Sequence, residues 1–454
     1  MRSRRRLHVD GRRCLARRDR LSPKLGIGVR KKNVFVPGLT DVQRSELETI
    51  RGAEEMNFRG LLSYDALVDV AAIDFGSLLS AAREELNAFP DEVDAIIPHW
   101  DFPVSVISPV LAEELGLPAP SLESILKCEH KYWSRLEQRR CVPECTPGFA
   151  AFDPFDDDAL DSIDLDFPFW VKPVKSHSSQ LGFEIRDAET FAQALQEIRE
   201  EIRNVGDAFD AVLSRVDLPP ELEEFGGNAC IAEELVVGRQ IAPEGSVHRG
   251  RFAVHGLFDM RKDAENTSFD RLTYPAQSTP ESVRERAIEY TRRYMEHIGF
   301  DNGCFNSEFI WDEDSDRLWL IEFNTRISQS HSDLFAKVDG VSNHQVAVDI
   351  ALDMEPRMPR GEGEYAVAGQ FKIFHDEDAV VTKVPDEDSL LRLRSRYPGT
   401  VATLDVGPGE RLSEMTGQDS YRYVLGKLYL GASDLDELDE KYENILEELD
   451  FEFS

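Results

Sequence analysis

No run of apolar residues in this chain is long enough to span a bilayer as a helix. The richest stretch, Ile96 to Pro118, is broken by Asp101 and by prolines. Cysteine is scarce: there are six, and only Cys141 and Cys145 stand close together. Their C-x₃-C spacing is neither a zinc nor a thioredoxin spacing. Cys128, Cys230 and Cys304 are expected in the core. Scattered, unpaired thiols fit a reducing compartment, so a cytoplasmic protein is expected. His248, His255 and His297 share no ligand spacing, which argues against zinc. There is no G-x-G-x-x-G and no internal repeat, so a dinucleotide-binding first domain is not expected. Positive charge is short as well. Against 86 Asp and Glu stand 52 Lys and Arg, a net charge of −34, which excludes nucleic acid as the main partner.

The basic residues that are present are unevenly placed. Met1 to Lys32 holds 13 Lys and Arg against two Asp, a local +11, so with a net charge of −34 the remainder carries about −45. This tail lacks the apolar core of a signal peptide and is Arg-rich and acid-poor, like a transit peptide. A disordered tail, or an upstream start codon read through, is expected over residues 1–32. The acid is spread through the body, and Arg outnumbers Lys. Such a surface stays soluble in a high-salt cytoplasm, the acidic-proteome case.

A chain of 454 residues with 41% hydrophobic content builds two to four domains. Asn33-Val-Phe-Val-Pro-Gly38 reads as a strand opening an open α/β unit, with a second strand at Val93 to Ile97. Val104 to Leu117 reads as a helix stopped by Gly116-Leu-Pro118. Glu129 to Arg140 looks helical, and Phe167 to Pro173 and Gly182 to Arg186 look like strands. In the next helix Phe191, Leu195, Ile198 and Ile202 share one face, with Asp187 as cap. Cys230 to Leu235 and Val247 to Met260 read as strands. Thr279-Pro280-Glu281 opens a helix whose face runs Val283, Ala287, Tyr294 and Ile298, and Gly299 ends it. Val346 to Leu352 is a further helix. From Gly363 onward short strands alternate with turns, before an acidic helix near Leu435 to Leu449.

The most informative segment is Cys304 to Arg326. Two apolar, aromatic-rich runs flank an acidic turn, Asp312 to Asp316, and read as an antiparallel hairpin. With the register centred on Ser315, Trp311 faces Trp319 and Glu308 faces Glu322. Glu322 and Asn324 then share a face. Two carboxylates and an amide oxygen make a hard-oxygen site of the kind that holds Mg²⁺ together with nucleotide phosphates. Arg326 follows on that face, where it can reach an anion. Lys172 leaves a strand before a small-residue loop in which Ser176, Ser178 and Ser179 can close over phosphates. Glu233-Glu234-Leu235-Val236 is an extended run able to offer main-chain groups to an adenine edge, and Gln240 follows where it can meet a ribose. His331 can orient substrate or serve as a polar loop residue, and His177 is equally open. His99, Trp100 and Asp101 can shape a carboxylate pocket.

A lysine with its loop, an acidic strand, a long helix and then Glu…Glu-x-Asn-x-Arg, ending in Ile321-Glu-Phe-Asn-Thr-Arg326, resembles the ATP-grasp superfamily. The resembling branch is that of the carboxylate–amine ligases and biotin-carboxylase-like proteins, and the likeness covers nearly everything after Lys32. It implies an α/β and α+β ATP-grasp fold. The parts would be an N-terminal open α/β domain at 33–127, ATP-binding lobes at 128–236 and 237–357, and a β-rich C-terminal subdomain at 362–454. It implies that Lys131 and Lys172 bind ATP phosphates. Glu233 through Val236 would line the adenine hinge, with Glu233 and the Val236 main chain touching the base. Glu308, Glu322 and Asn324 would hold two Mg²⁺ (or Mn²⁺) ions. Arg326 would face the transferred phosphoryl or the substrate carboxylate. The sequence departs from the family pattern in its serine-rich, glycine-poor loop and in carrying Gln240 where Glu is usual. The implied activity is an ADP-forming ligation of a small carboxylate, such as an amino acid, to an amine through an acyl phosphate, with the serine loop as lid. A homodimer is common in this branch. The alternatives are a biotin-carboxylase-type enzyme and a catalytically silent ATP-binding regulator. The first lacks a biotin-carrier lysine in a Met-Lys-Met setting.

Overall fold

A computed structural model describes residues 30–68, 73–176, 181–262, 268–415 and 422–454. Most of the basic tail thus lies outside the described residues. Its last residues do not: Arg30 pairs with Glu92 and Asp94, and the first strand begins at Lys32, one residue before the expected start.

That strand, Lys32–Pro37, is the centre of a three-stranded parallel sheet between Met56–Leu61 and Ala95–Ile96. The Met56–Leu61 strand was not expected. Its burial alternates, with Met56, Phe58 and Leu61 inside, but Asn57, Arg59 and Gly60 dilute the signal. Helices Asp41–Leu47, Phe75–Ala88 and Val104–Glu114 accompany this sheet. Gly116, at φ +69°, ends the turn after the last of them. The helix expected from Glu129 to Arg140 is present as Lys131–Cys141, and a separate helix, Leu122–Glu129, precedes it. His130 breaks them with extended backbone, and its side chain accepts from Trp133 N.

A four-stranded antiparallel sheet follows, ordered Phe149–Phe152, Cys230–Glu234, Phe169–Pro173, Phe183–Ile185. Helix Ala188–Glu201 covers it. Asp187 and Thr190 form its capping box, worth about 1 kcal/mol, and Phe191, Leu195 and Ile198 enter the lobe's own core.

The third sheet has eight antiparallel strands: Arg317–Asn324, Gly303–Asp312, Arg239–His248, Arg251–Lys262, Phe269–Tyr274, Val367–His375, Tyr423–Ala432 and Val401–Leu404. The strand expected from Val247 to Met260 is the second arm of a hairpin. Arg249 and Gly250, both at positive φ, make its turn. After Gly363, strands Val367–His375, Tyr423–Ala432 and Val401–Leu404 extend this same sheet through Phe269–Tyr274, sharing one hydrogen-bonded layer with the hairpin Gly303–Asp312 and Arg317–Asn324, while Val381–Lys383 and Glu452–Phe453 pair separately. Helix Glu281–Ile298 packs against the sheet through Val283, Ala287, Tyr294 and Ile298. Thr279 is not its cap; its hydroxyl donates to Asp259 instead. Among the described residues no helix is long and apolar enough to cross a membrane.

Candidate active site

The hairpin Gly303–Asp312 and Arg317–Asn324 carries the densest set of functional groups. Its turn is fixed by Asp312, which accepts from Asp314 N at 3.0 Å, and by Asp316, which accepts from Trp311 Nε1 at 3.0 Å. Near the turn the register differs from expectation: Trp311 lies opposite Leu318, and Trp319 opposite Ile310. A bulge between Glu308 and Phe309 on one side, with Ile321 as the extra residue on the other, then shifts the pairing. Glu308 therefore does face Glu322, and Asn306 faces Asn324. Without the bulge Glu308 would oppose Ile321, because one residue of slip changes the face.

Gln240 Nε2 donates to Glu308 Oε2 at 2.6 Å, and Asn324 Nδ2 lies 3.4 Å from Glu308 Oε1. Gln240 is thus committed to the carboxylate pair rather than free for a sugar. Desolvation in the cleft, then the charge of Glu322, pushes the Glu308 carboxyl well above the usual carboxylate range. Two carboxylates and an amide form the donor set. Among the described residues no three His, Cys, Asp or Glu side chains come together to hold a metal. The set therefore fits a hard cation whose remaining ligands come from phosphate or water.

Lys131 opens helix Lys131–Cys141, and its Nζ donates to Ser176 O at 2.9 Å. Burial lowers its ammonium to about 8; Glu322 pulls the other way, while Lys172 and Lys175 add to the lowering. Arg135 sits one turn on, on the same helix face. It donates to Glu233 Oε1 at 2.6 Å and to Leu320 O at 2.6 Å. Lys172 lies opposite Ile231, which puts Glu233 diagonally across the same face. The Lys172 Nζ–Glu233 Oε2 distance is 2.7 Å. Burial would raise the Glu233 carboxyl, but Arg135 and Lys172 outweigh it and hold it near 2. The side chain expected to touch the base is therefore engaged with Arg135 and Lys172. Strand pairing stops at Glu234, whose own carboxylate accepts from Gly148 N. Main-chain groups beyond it, at Leu235 and Val236, lie past the sheet. Gly238, at φ +147°, has room for no side chain, since a Cβ would sit 2.2 Å from Trp311 O. That close approach starts the strand carrying Gln240. Ser176 is described; His177, Ser178 and Ser179 lie outside the described residues. At the base of that loop Lys175 is ion-paired with Glu129.

Arg326 is held in a two-bond ion pair by Asp101, at 2.7 and 2.8 Å. Of the three first-domain candidates, Asp101 alone bonds a site residue. His99 is fully buried against His344, and Trp100 Nε1 donates to Gly38 O. His331 is not a loop residue. It lies buried on helix Gln329–Asp339, stacked 3.5 Å over Phe258, with Nδ1 at 2.5 Å from Glu244 Oε2. Glu244 also accepts from Ser328 N and Asn343 Nδ2. A pocket of about 230 Å³ gathers Glu308, Asn324, Arg326 and His331 with Asn306 and Asp270. Asn306, Arg135 and Glu244 were not expected. Asn306 was readable as two residues before Glu308 on one strand face, and Arg135 as i+4 from Lys131; Glu244 has no local signal.

The model of the ATP-grasp domain family matches residues 165–332. The carbamoyl phosphate synthase large chain of Clostridium perfringens is 28% identical over 164 residues, 36% of this chain and 14% of that one. The chain thus spans about one seventh of the length of the curated relatives it matches. Among solved structures, an L-amino acid ligase from Bacillus licheniformis superposes with a TM-score of 0.69 at 16% identity, over 94% of this chain and 99% of that one. A biotin carboxylase from Campylobacter jejuni gives 0.59 at 13%, over 94% and 93%. At such identities the superpositions speak for the fold, which they share along nearly the whole chain. The family model thus matches this chain across the Lys172 strand and the Glu308–Glu322 hairpin, and the fold is that of the ATP-grasp structures it superposes on.

Proposed function

We propose that this protein is an ATP-dependent, ADP-forming ligase that joins a small carboxylate, an amino acid among the candidates, to an amine. One observation carries the reading: Glu308 and Glu322 face each other across the hairpin, and Glu308 lines the pocket that also holds Arg326. Like charges brought together in a cleft are unfavourable unless a cation joins them. Glu308, Glu322 and Asn324 would hold Mg²⁺, which would supply charge neutralisation and a Lewis acid to the phosphates.

This chain's own residues do the rest. Lys131 and Lys172 lie where an anionic phosphate chain needs cations, and Glu233 and Arg135 keep Lys172 in place. Leu235 and Val236 offer main-chain groups to a base. Arg326 can exchange Asp101 for the incoming carboxylate, which would then attack the terminal phosphoryl group. The resulting acyl phosphate is attacked by the amine, giving an amide and phosphate. Closure of the cleft must exclude water at that stage. The substrates are small molecules and the compartment we infer is the cytoplasm.

A second reading, a silent nucleotide-binding regulator, is favoured by one observation. Lys172 and Arg326, the cations assigned to anions, are both already paired with acids. ADP release over a panel of acids, bicarbonate included, and amines separates the two. Acid-dependent release that Glu322→Ala abolishes supports the ligase. ATP binding without turnover for any pair supports the regulator.

A further inference from the structure

Two buried polar atoms in the pocket beside the metal hairpin have no partner: Asp270 Oδ1 and Asn306 Nδ2. Asn306 is 4% exposed and lies opposite Asn324. Asp270 comes from strand Phe269–Tyr274, separated from the hairpin in the sheet order by Arg239–His248 and Arg251–Lys262. Buried donors and acceptors are almost always satisfied, so an unpaired acceptor and an unpaired donor lining one cavity describe the complement of a ligand. The cations nearby do not fill the role. Arg326 is held by Asp101. Arg271 is bonded to Asp439 and reaches only the other oxygen of Asp270, at 3.2–3.3 Å. Lys372 also lines the pocket but is hydrogen-bonded to neither atom, so Asp270 Oδ1 and Asn306 Nδ2 stay open, and Ala242, Met260 and Leu272 add apolar surface.

We propose that Asp270 is a specificity residue that holds a primary ammonium group of a substrate, with Asn306 donating to an oxygen of the same molecule. A carboxylate oxygen facing an ammonium makes a charge-assisted bond, stronger than one to a neutral donor. The proposal rests on the ligase reading and narrows it: at least one of the two substrates enters as a cation. That group is the amino group of an amino acid serving as the acid, or the amine that becomes the nucleophile.

The test compares wild type, Asp270→Asn and Asp270→Glu as full chains, with thermal unfolding as a check on folding. In one arm hydroxylamine traps the acyl phosphate, and L-alanine is compared with propanoate as the acid. In the other arm the acid is fixed, and a primary amine is compared with hydroxylamine. The expected result is a preference for the ammonium-bearing substrate in one arm. Asp270→Asn reduces that preference by about 10- to 100-fold, mainly through KM, and Asp270→Glu restores part of it. The arm that responds names the source of the ammonium. An identical preference in wild type and Asp270→Asn overturns the proposal and leaves the ligase standing, with water as the partner of Asp270. If no pair releases ADP, the ligase reading fails. Calorimetric titration with L-alanine and with ethylammonium then decides the ammonium site: binding lost in Asp270→Asn supports it, and no binding to wild type overturns it.

Discussion

Two clusters of charge lie in the same cleft and are built on opposite plans. Around Glu233 every charge is answered: Arg135 and Lys172 flank the carboxylate, each within 2.7 Å. Around Glu308 the nearest charge is another carboxylate, and only the neutral amides of Gln240 and Asn324 lie against it. The first cluster stays satisfied without a ligand and fixes geometry. The second is offset only in part, by Arg326 and Lys172 on Glu308 and by Lys131 on Glu322, and a cation would complete it. Buried pairs hold shape, whereas unbalanced groups bind.

The largest effect should come from the unbalanced cluster. Glu322→Ala should lower ADP release on the order of 10³-fold while leaving the thermal midpoint equal or higher, since it removes a like-charge contact. A midpoint that dropped sharply would break the contrast.

The paired cluster should respond in the reverse sense. Glu233→Gln leaves Arg135 and Lys172 without their counter-charge and should cost about 3 kcal/mol in denaturant unfolding. The folded carboxyl is held near 2, below its unfolded value of about 4.3. Its stabilisation is therefore complete above that unfolded value and lost as pH falls toward 2. Wild type should lose its advantage over Glu233→Gln between pH 5 and pH 2, by roughly the amounts in the linkage relation. Parallel stability curves over that range would contradict this assignment.

Lys131 sharpens the comparison from the phosphate side. Its ammonium, lowered to about 8, must be charged to hold an anion. ADP affinity measured without metal should fall by up to about tenfold per pH unit above 8, and Lys131→Arg should flatten the profile. A wild-type profile that is already flat would remove Lys131 from the phosphate site.

The smallest effect is expected at Asp101. Asp101→Asn weakens the hold on Arg326 and should lower KM for the acid by a few-fold, with kcat little changed. A rise in KM would mean that Asp101 positions Arg326 for the substrate rather than competing with it.

Much of this cleft was readable along the chain. Helix Ala188–Glu201 with its Asp187 cap, the stop at Gly299 and the hairpin around Ser315 are local events, set by periodicity, capping and turn chemistry within a few residues. Glu322 and Asn324 share a face because a strand alternates. What was misread depends on partners distant in sequence. Thr279 was taken from helix capping by Asp259, twenty residues away. Gln240 was drawn to Glu308 across a strand pair. Strands Val367–His375, Tyr423–Ala432 and Val401–Leu404 joined the large sheet because Val367–His375 could pair with Phe269–Tyr274.

The amino-acid sequence by itself determined the inventory: an acidic α/β chain, a lysine strand, and two carboxylates with an amide on one hairpin. Tertiary structure alone decided which of these charges are spent. The bulge at Ile321 brought Glu322 opposite Glu308, strand pairing set Lys172 against Glu233, and the first domain's Asp101 reached Arg326. The physical reason is range. Alternation and capping act over a few residues, whereas neutralisation depends on distance in space, and only the folded chain sets that.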